Sequence, residues 1–113
     1  MSGEAARVFA ALGDPVRLTL VASLGPDGQS ISDLTRGLTI TRQGVTKHLK
    51  VLEAGGLIRS ERRGREVIWH CRPAGLAVAR HALEEIGAGW EQSLQRLKSL
   101  VEDQTPKEGP GQI

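Results

Sequence analysis

Residues 41 to 71, TRQGVTKHLKVLEAGGLIRSERRGREVIWHC, constrain the fold of this chain more than any other stretch. Val45, Leu49 and Leu52 recur at i, i+4 and i+7, so in a helix they form one apolar stripe and leave Arg42, Gln43, Thr46, Lys47 and Lys50 on the other side. Ala54-Gly55-Gly56 stops that helix, because a glycine takes the left-handed conformation without a Cβ penalty. Leu57 to Glu61 and Arg65 to Cys71 then read as two strands around Arg62-Arg63-Gly64, a short glycine-containing turn whose tip carries Arg62, Arg63 and Arg65. A basic amphipathic helix, an abrupt stop and an arginine-tipped hairpin together predict a winged helix-turn-helix, mainly α with a small β-hairpin.

Charge follows the same segment. The formal net charge of +2 is ordinary for 113 residues, but between Arg42 and Arg72 eight basic residues face three acidic ones. Elsewhere seven basic residues face ten acidic ones. A basic segment inside an otherwise acidic chain is the electrostatic footprint of a protein that neutralises phosphates.

Upstream, Val8, Phe9 and Leu12 lie at helical spacing before Gly13, predicting a first helix over about 4–12. Asp14-Pro15 restarts the chain, with Asp as N-cap and Pro at the first helical position. Val16, Leu18, Leu20, Val21 and Leu24 continue an apolar face until Gly25-Pro26-Asp27-Gly28. Ser30 or Ser32 caps a short third helix holding Leu34 and Leu38, and Leu38-Thr39-Ile40 makes a tight turn before Thr41 opens the fourth. Downstream, from Pro73 to about Asp103, apolar residues fall on a seven-residue repeat. Leu76, Leu83, Trp90 and Leu97 make one row; Ala79, Ile86 and Leu100 make the second, interrupted by Ser93 and flanked by Leu94 and Val101. Thirty helical residues span about 45 Å, too long for so small a body to cover, so this helix is expected to pack against a second copy. The alternative is a terminal helix folded back on its own core. Gly87 and Gly89 weaken its middle and mark a possible kink.

Residues 1–103 therefore form one winged-helix and dimerisation domain, and the stretch from Gln104 to Ile113, with two prolines and two glycines, reads as a disordered tail. One cysteine, Cys71, excludes an internal disulfide and fits a reducing cytoplasm. Neither a signal peptide nor a membrane span is visible, so a cytoplasmic protein is expected, with no membrane partner. No Ser/His/Asp or Cys/His arrangement, phosphate-binding glycine loop or paired carboxylate points to an enzyme.

The segments ALGDPVRLTLVASLG (11–25), TRQGVTKHLKVLEAGGLI (41–58) and RRGREVIWH (62–70) together resemble the ArsR family of bacterial winged-helix transcriptional repressors, also called ArsR/SmtB. The family's AL-DP-R opening corresponds to Ala11 through Arg17, its HLK-L--AGL recognition-helix end to His48 through Leu57, and its wing to Arg63-Gly64-Arg65. The resemblance implies four helices, a hairpin and a fifth helix, and a homodimer built on the first and last helices. The residues at that interface are then Val8, Phe9, Leu12, Leu76, Ala79, Leu83, Ile86, Trp90, Leu94 and Leu97. It also implies a palindromic operator in double-stranded DNA, and for His48 a helix-packing or phosphate-contacting role.

A dimer sets two recognition helices in successive major grooves about 34 to 36 Å apart, which requires an inverted repeat. Base readout falls to Arg42, suited to guanine, Gln43, suited to adenine, and Thr46; Lys47, His48 and Lys50 are placed on phosphates. The wing arginines Arg62, Arg63 and Arg65 are expected on the backbone or minor groove. The metal-ligand sets of the family are missing. Ser30 to Arg36 holds no cysteine, and the register that the resemblance sets puts Pro73, Gly75, Ile86 and Gly89 at the last-helix ligand positions. His70, His81 and Glu84 match a ligand spacing out of register. No metal or cofactor is expected, and the effector stays open: a small molecule, a partner, or none. The alternatives are a winged-helix protein-interaction module, or a repressor answering to metal through His81 and Glu84 or to oxidation of Cys71.

Overall fold

The computed structural model describes residues 3–25 and 27–104. In chain order these form α1 (Gly3–Leu12), α2 (Pro15–Ser23), β1 (Gln29–Ser30), α3 (Ile31–Thr35), α4 (Arg42–Ala54), β2 (Ile58–Arg63), β3 (Glu66–Cys71) and α5 (Pro73–Gln104). They fall into two compact units that divide after His81, within α5. No described helix is long and apolar enough to cross a membrane. The tail expected over 104–113 lies, from residue 105 onward, outside the described residues.

In the first unit the ALGDPVR motif is a corner between two helices. Asp14, extended in backbone, accepts hydrogen bonds from the Val16 and Arg17 amides at 2.8 and 3.1 Å, with Pro15 in the first turn. Arg17 reaches back, its Nε donating to the Ala11 carbonyl at 2.5 Å and its Nη2 to that of Ala10 at 3.4 Å. One side chain thus starts α2, and another satisfies carbonyls left open at the end of α1. Leu18 was expected on the apolar face, but it is 52% exposed. At 100° per residue it points away from Leu20 and Leu24, which are buried.

Ser30 caps α3 in a reciprocal box with Asp33. This helix ends at Thr35, so Leu38 lies beyond it and packs on the core from the connecting turn. Thr41 caps α4 by accepting from the Gly44 amide at 3.0 Å. At the other end the Gly56 amide donates to Glu53 and the Leu57 amide to Leu52, the paired bonds of a Schellman stop, with Gly56 at φ +81°. The neighbouring Gly55 is needed for a different reason, since a Cβ there would lie 2.8 Å from that of Ala11.

The sequence predicted a two-stranded wing, and the structure has three antiparallel strands in the order β1-β3-β2. β1 is only two residues, paired through Gln29 with Trp69 and Ser30 with Ile68, too short to leave a periodic signal. In the hairpin Arg63 pairs with Glu66, so Arg62 and Arg63 belong to the strand and the turn is Gly64-Arg65. Gly64, at φ +61°, takes the first turn position, the glycine-demanding place of a II′ turn. Cross-strand partners share a face. Ile58, Ser60 and Arg62 therefore lie with Cys71, Trp69 and Val67, while Arg59, Glu61 and Arg63 lie with His70, Ile68 and Glu66.

Val8, Ala11, Leu20, Leu24, Leu34, Val45, Leu49, Leu52, Leu57, Ile58, Trp69 and Ala79 make the core. Val8, 1% exposed, and Ala79, 6% exposed, were expected at a dimer interface; both are spent on the chain's own interior and have no surface left for a partner. Phe9 and Leu12 are half-buried. In the second unit α5 continues without a break through Gly87 and Gly89, so neither ends the helix. Leu83, Ile86, Trp90, Leu94, Leu97, Leu100 and Val101 are all exposed, Trp90 at 66%.

Candidate nucleic-acid interface

Helix α4 is held from below and open above. Val45, Leu49 and Leu52 are 0% exposed, which fixes the rotation of the helix about its axis. That rotation leaves Arg42, Gln43, Lys47 and Lys50 exposed along one side. Thr46, half-buried, donates from its hydroxyl to the Arg42 carbonyl at 3.0 Å, so its methyl is the part free to meet a partner. No described carboxylate forms an ion pair with Arg42, Lys47 or Lys50.

His48, expected on a phosphate, has a half-buried ring engaged through one nitrogen. Its Nδ1 lies 3.4 Å from Arg17 Nη1 and 3.9 Å from Asp14 Oδ1, directing the ring to the α1–α2 corner. It is a packing residue that ties α4 to α2. The Arg17 amide, above all, holds the Asp14 carboxyl below the usual carboxylate range, with the Val16 amide and the charges of Arg17 and His48 adding to it against partial desolvation.

The wing arginines, equal in the sequence, are unequal in the structure. Arg62 and Arg65 carry no ion pair among the described residues, whereas Arg63 Nε donates to Glu61 Oε1 at 2.6 Å. Glu61 also meets Arg59 Nη1 at 3.5 Å and His70 Nε2 at 3.8 Å. The hydrogen bond from Arg63 is the main cause that holds the Glu61 carboxyl below its ordinary range; desolvation opposes it, and the charges of Arg63 and His70 and a bond from Arg59 assist it. In the sequence Glu61 stands out only as one of three acids in the basic segment and as the end of the first wing strand. Its i±2 spacing from Arg59 and Arg63 was the available signal, since a strand puts all three on one face. Ser60, on the other face, donates to Glu53 Oε2 at 3.2 Å and so links the wing to the end of α4.

His70 is 12% exposed in its side chain, its Nε2 is buried without a hydrogen bond, and a Cβ on Gly28 would meet its ring at 2.7 Å. Burial raises the Cys71 thiol above its usual pKa, which keeps it protonated and unreactive near neutrality. Among the described residues no three His, Cys, Asp or Glu side chains gather closely enough to hold a metal ion.

Residues 12–61 match the model of a helix-turn-helix domain family. The chain is similar to the solved structure of an ArsR-like transcriptional regulator from Rhodococcus sp. RHA1, with 40% identity and a TM-score of 0.73 over 86% of this chain and 92% of that one. It is 38% identical to an uncharacterized HTH-type transcriptional regulator of Bacillus subtilis, YuzN, across 58% of this chain and 78% of the relative. It is also 36% identical to the HTH-type transcriptional repressor SmtB of Mycobacterium tuberculosis, across 67% of this chain and 54% of the relative. With the core, the exposed α4 face and the wing in place, the chain belongs to the ArsR/SmtB family of winged helix-turn-helix transcriptional regulators and binds DNA.

Proposed function

We propose that the protein is a repressor that binds an inverted-repeat operator as a homodimer, reading bases with Arg42, Gln43 and the Thr46 methyl and gripping phosphates with Lys47, Lys50, Arg62 and Arg65. One observation carries this reading: a cationic face of α4, with no ion pair among the described residues, stands on three fully buried side chains and is therefore presented rigidly. The name of the SmtB relative supports repression. Dimerisation rests on α5, where seven large apolar side chains between Leu83 and Val101 are exposed at 38% to 66%. So much apolar surface along one helix is the mark of an interaction face, and its heptad spacing suits a second copy of the same helix.

The test is fluorescence anisotropy with the promoter fragment upstream of its own gene, across a range of salt. About six or more phosphate contacts predict a steep loss of affinity as salt rises. Arg42→Ala should cost about 1 to 3 kcal/mol and relax preference at one operator position. An even loss across scrambled sequences contradicts base reading by Arg42, and a complex indifferent to salt contradicts the interface as a whole.

A further inference from the structure

In the first unit a cavity of about 320 Å³ lies between the start of α3, the outer face of α4 and the wing. Ile31, Val67 and Trp69 give it an apolar lining, and Ser32, Thr46, Arg42, Arg65 and Glu66 supply polar groups. The volume is at the small end of pockets that hold organic ligands, and a few polar groups around an apolar floor are the usual make-up of such pockets. Neither Arg42 nor Arg65 forms an ion pair among the described residues.

We propose that this cleft is the effector site and that its ligand is a small monoanionic aromatic carboxylate. The class follows from the lining. Trp69 is 7% exposed, so only a strip of its indole borders the cleft, and together with Ile31 and Val67 it makes an apolar wall against which the body of the ligand packs. The two guanidiniums offer a carboxylate paired N–H donors in a fixed fork. Glu66 sets an upper limit on ligand charge, because two arginines and one glutamate leave a formal excess of one positive charge. A single carboxylate matches that excess, while a phosphate monoester brings more negative charge against Glu66. The apolar remainder of the lining favours a ligand with an apolar body over an inorganic anion, which would leave Ile31, Val67 and Trp69 without a contact.

The consequence rests on the proposed DNA interface. Arg42 and Thr46 would serve both the ligand and a base pair, and Arg65 both the ligand and a phosphate, so occupancy releases DNA by direct competition and needs no transmitted change of shape.

The binding test contains no DNA and so stands or falls apart from that interface. The full chain, labelled with 15N, is titrated with 1-naphthoate, with the neutral 1-naphthalenemethanol and with inorganic phosphate. Naphthoate should move the indole N–H signal of Trp69 and the amides of Ile31 and Val67 while leaving that of Trp90 in place. The neutral alcohol, and naphthoate against Arg65→Gln or Arg42→Gln, should bind roughly tenfold or more weakly, the loss expected for a charge-assisted pair. No movement of Trp69 at millimolar naphthoate, equal binding of acid and alcohol, or binding by both arginine variants as tight as by the native chain overturns the site. A response to inorganic phosphate as strong as that to naphthoate overturns the ligand class. Naphthoate that saturates the Trp69 signal yet leaves promoter binding unchanged supports the site and overturns the competition.

Discussion

Glu61→Gln should make the protein bind DNA more tightly, and the size of the gain follows from the wing. In the native chain Arg63 spends its Nε proton on Glu61 at 2.6 Å, and Arg59 sits 3.5 Å from the other carboxylate oxygen. A guanidinium already facing a carboxylate is a poorer partner for a phosphate, since binding DNA must first displace a negative charge of the protein's own. Glutamine keeps the shape and removes the charge. Freeing Arg63 adds about one phosphate contact, and each contact contributes a slope near −0.9 in log K against log salt. At ~0.15 M salt that factor amounts to roughly a fivefold rise in affinity, with the slope steeper by about one. The assay is anisotropy with the same promoter fragment at four or more salt concentrations, for native chain, Glu61→Gln, Arg63→Ala and the double variant. Arg63→Ala should matter little in the native background and cancel the gain in the Glu61→Gln background. The reasoning is refuted if Glu61→Gln leaves both affinity and slope unchanged, or if Arg63→Ala costs the same in both backgrounds.

The other predictions bear on assembly and stability. Leu83→Asp puts a charge into the exposed heptad row of α5 and should yield monomers by light scattering; an intact dimer would place the interface elsewhere. Two glycines of the same helix should respond with opposite signs. A Cβ at Gly75 would collide with the Gly56 carbonyl oxygen, so Gly75→Ala should destabilise by about 1 to 3 kcal/mol in urea unfolding despite its better helix propensity. Gly87 has open space around it, so Gly87→Ala should stabilise by up to about 1 kcal/mol; a gain at both positions would mean that propensity alone governs α5, and a loss at Gly87 would refute the open space. Asp14 and Glu61 both have carboxyl pKa values below their ordinary ones. Their contributions are complete above the unfolded-state pKa and disappear as pH falls through the folded values. Asp14→Asn should therefore flatten the acid limb of the stability curve, and a limb that keeps its slope would assign acid sensitivity to other groups.

How much of this was legible in the sequence depended on whether a signal was local. The caps at Asp14 and Thr41, the glycine stop after Ala54 and the buried stripe of α4 each rest on residues within one or two turns of one another, and all were readable. The two-residue strand β1 exists only because β3 offers it a partner some forty residues away, so its own residues carry no mark of it. Leu18 is apolar yet lies on the outer side of α2, because burial follows the angle around the helix and not the count of apolar residues. His48 lay in the recognition helix by position, yet its ring is claimed by a corner thirty-one residues upstream, which only folding brings near. The wing shows the same division more finely. Its arginines are evident, but the turn is Gly64-Arg65 rather than Arg62-Arg63-Gly64, which puts Arg62 and Arg63 in the strand, and strand geometry sends them to opposite faces. Arg62 shares its face with Trp69 and Ser60, the face tied to α4 through Glu53, while Arg63 shares the other with Glu61. The register of one hairpin therefore decides that Arg63 is paired with Glu61, while Arg62 carries no ion pair among the described residues.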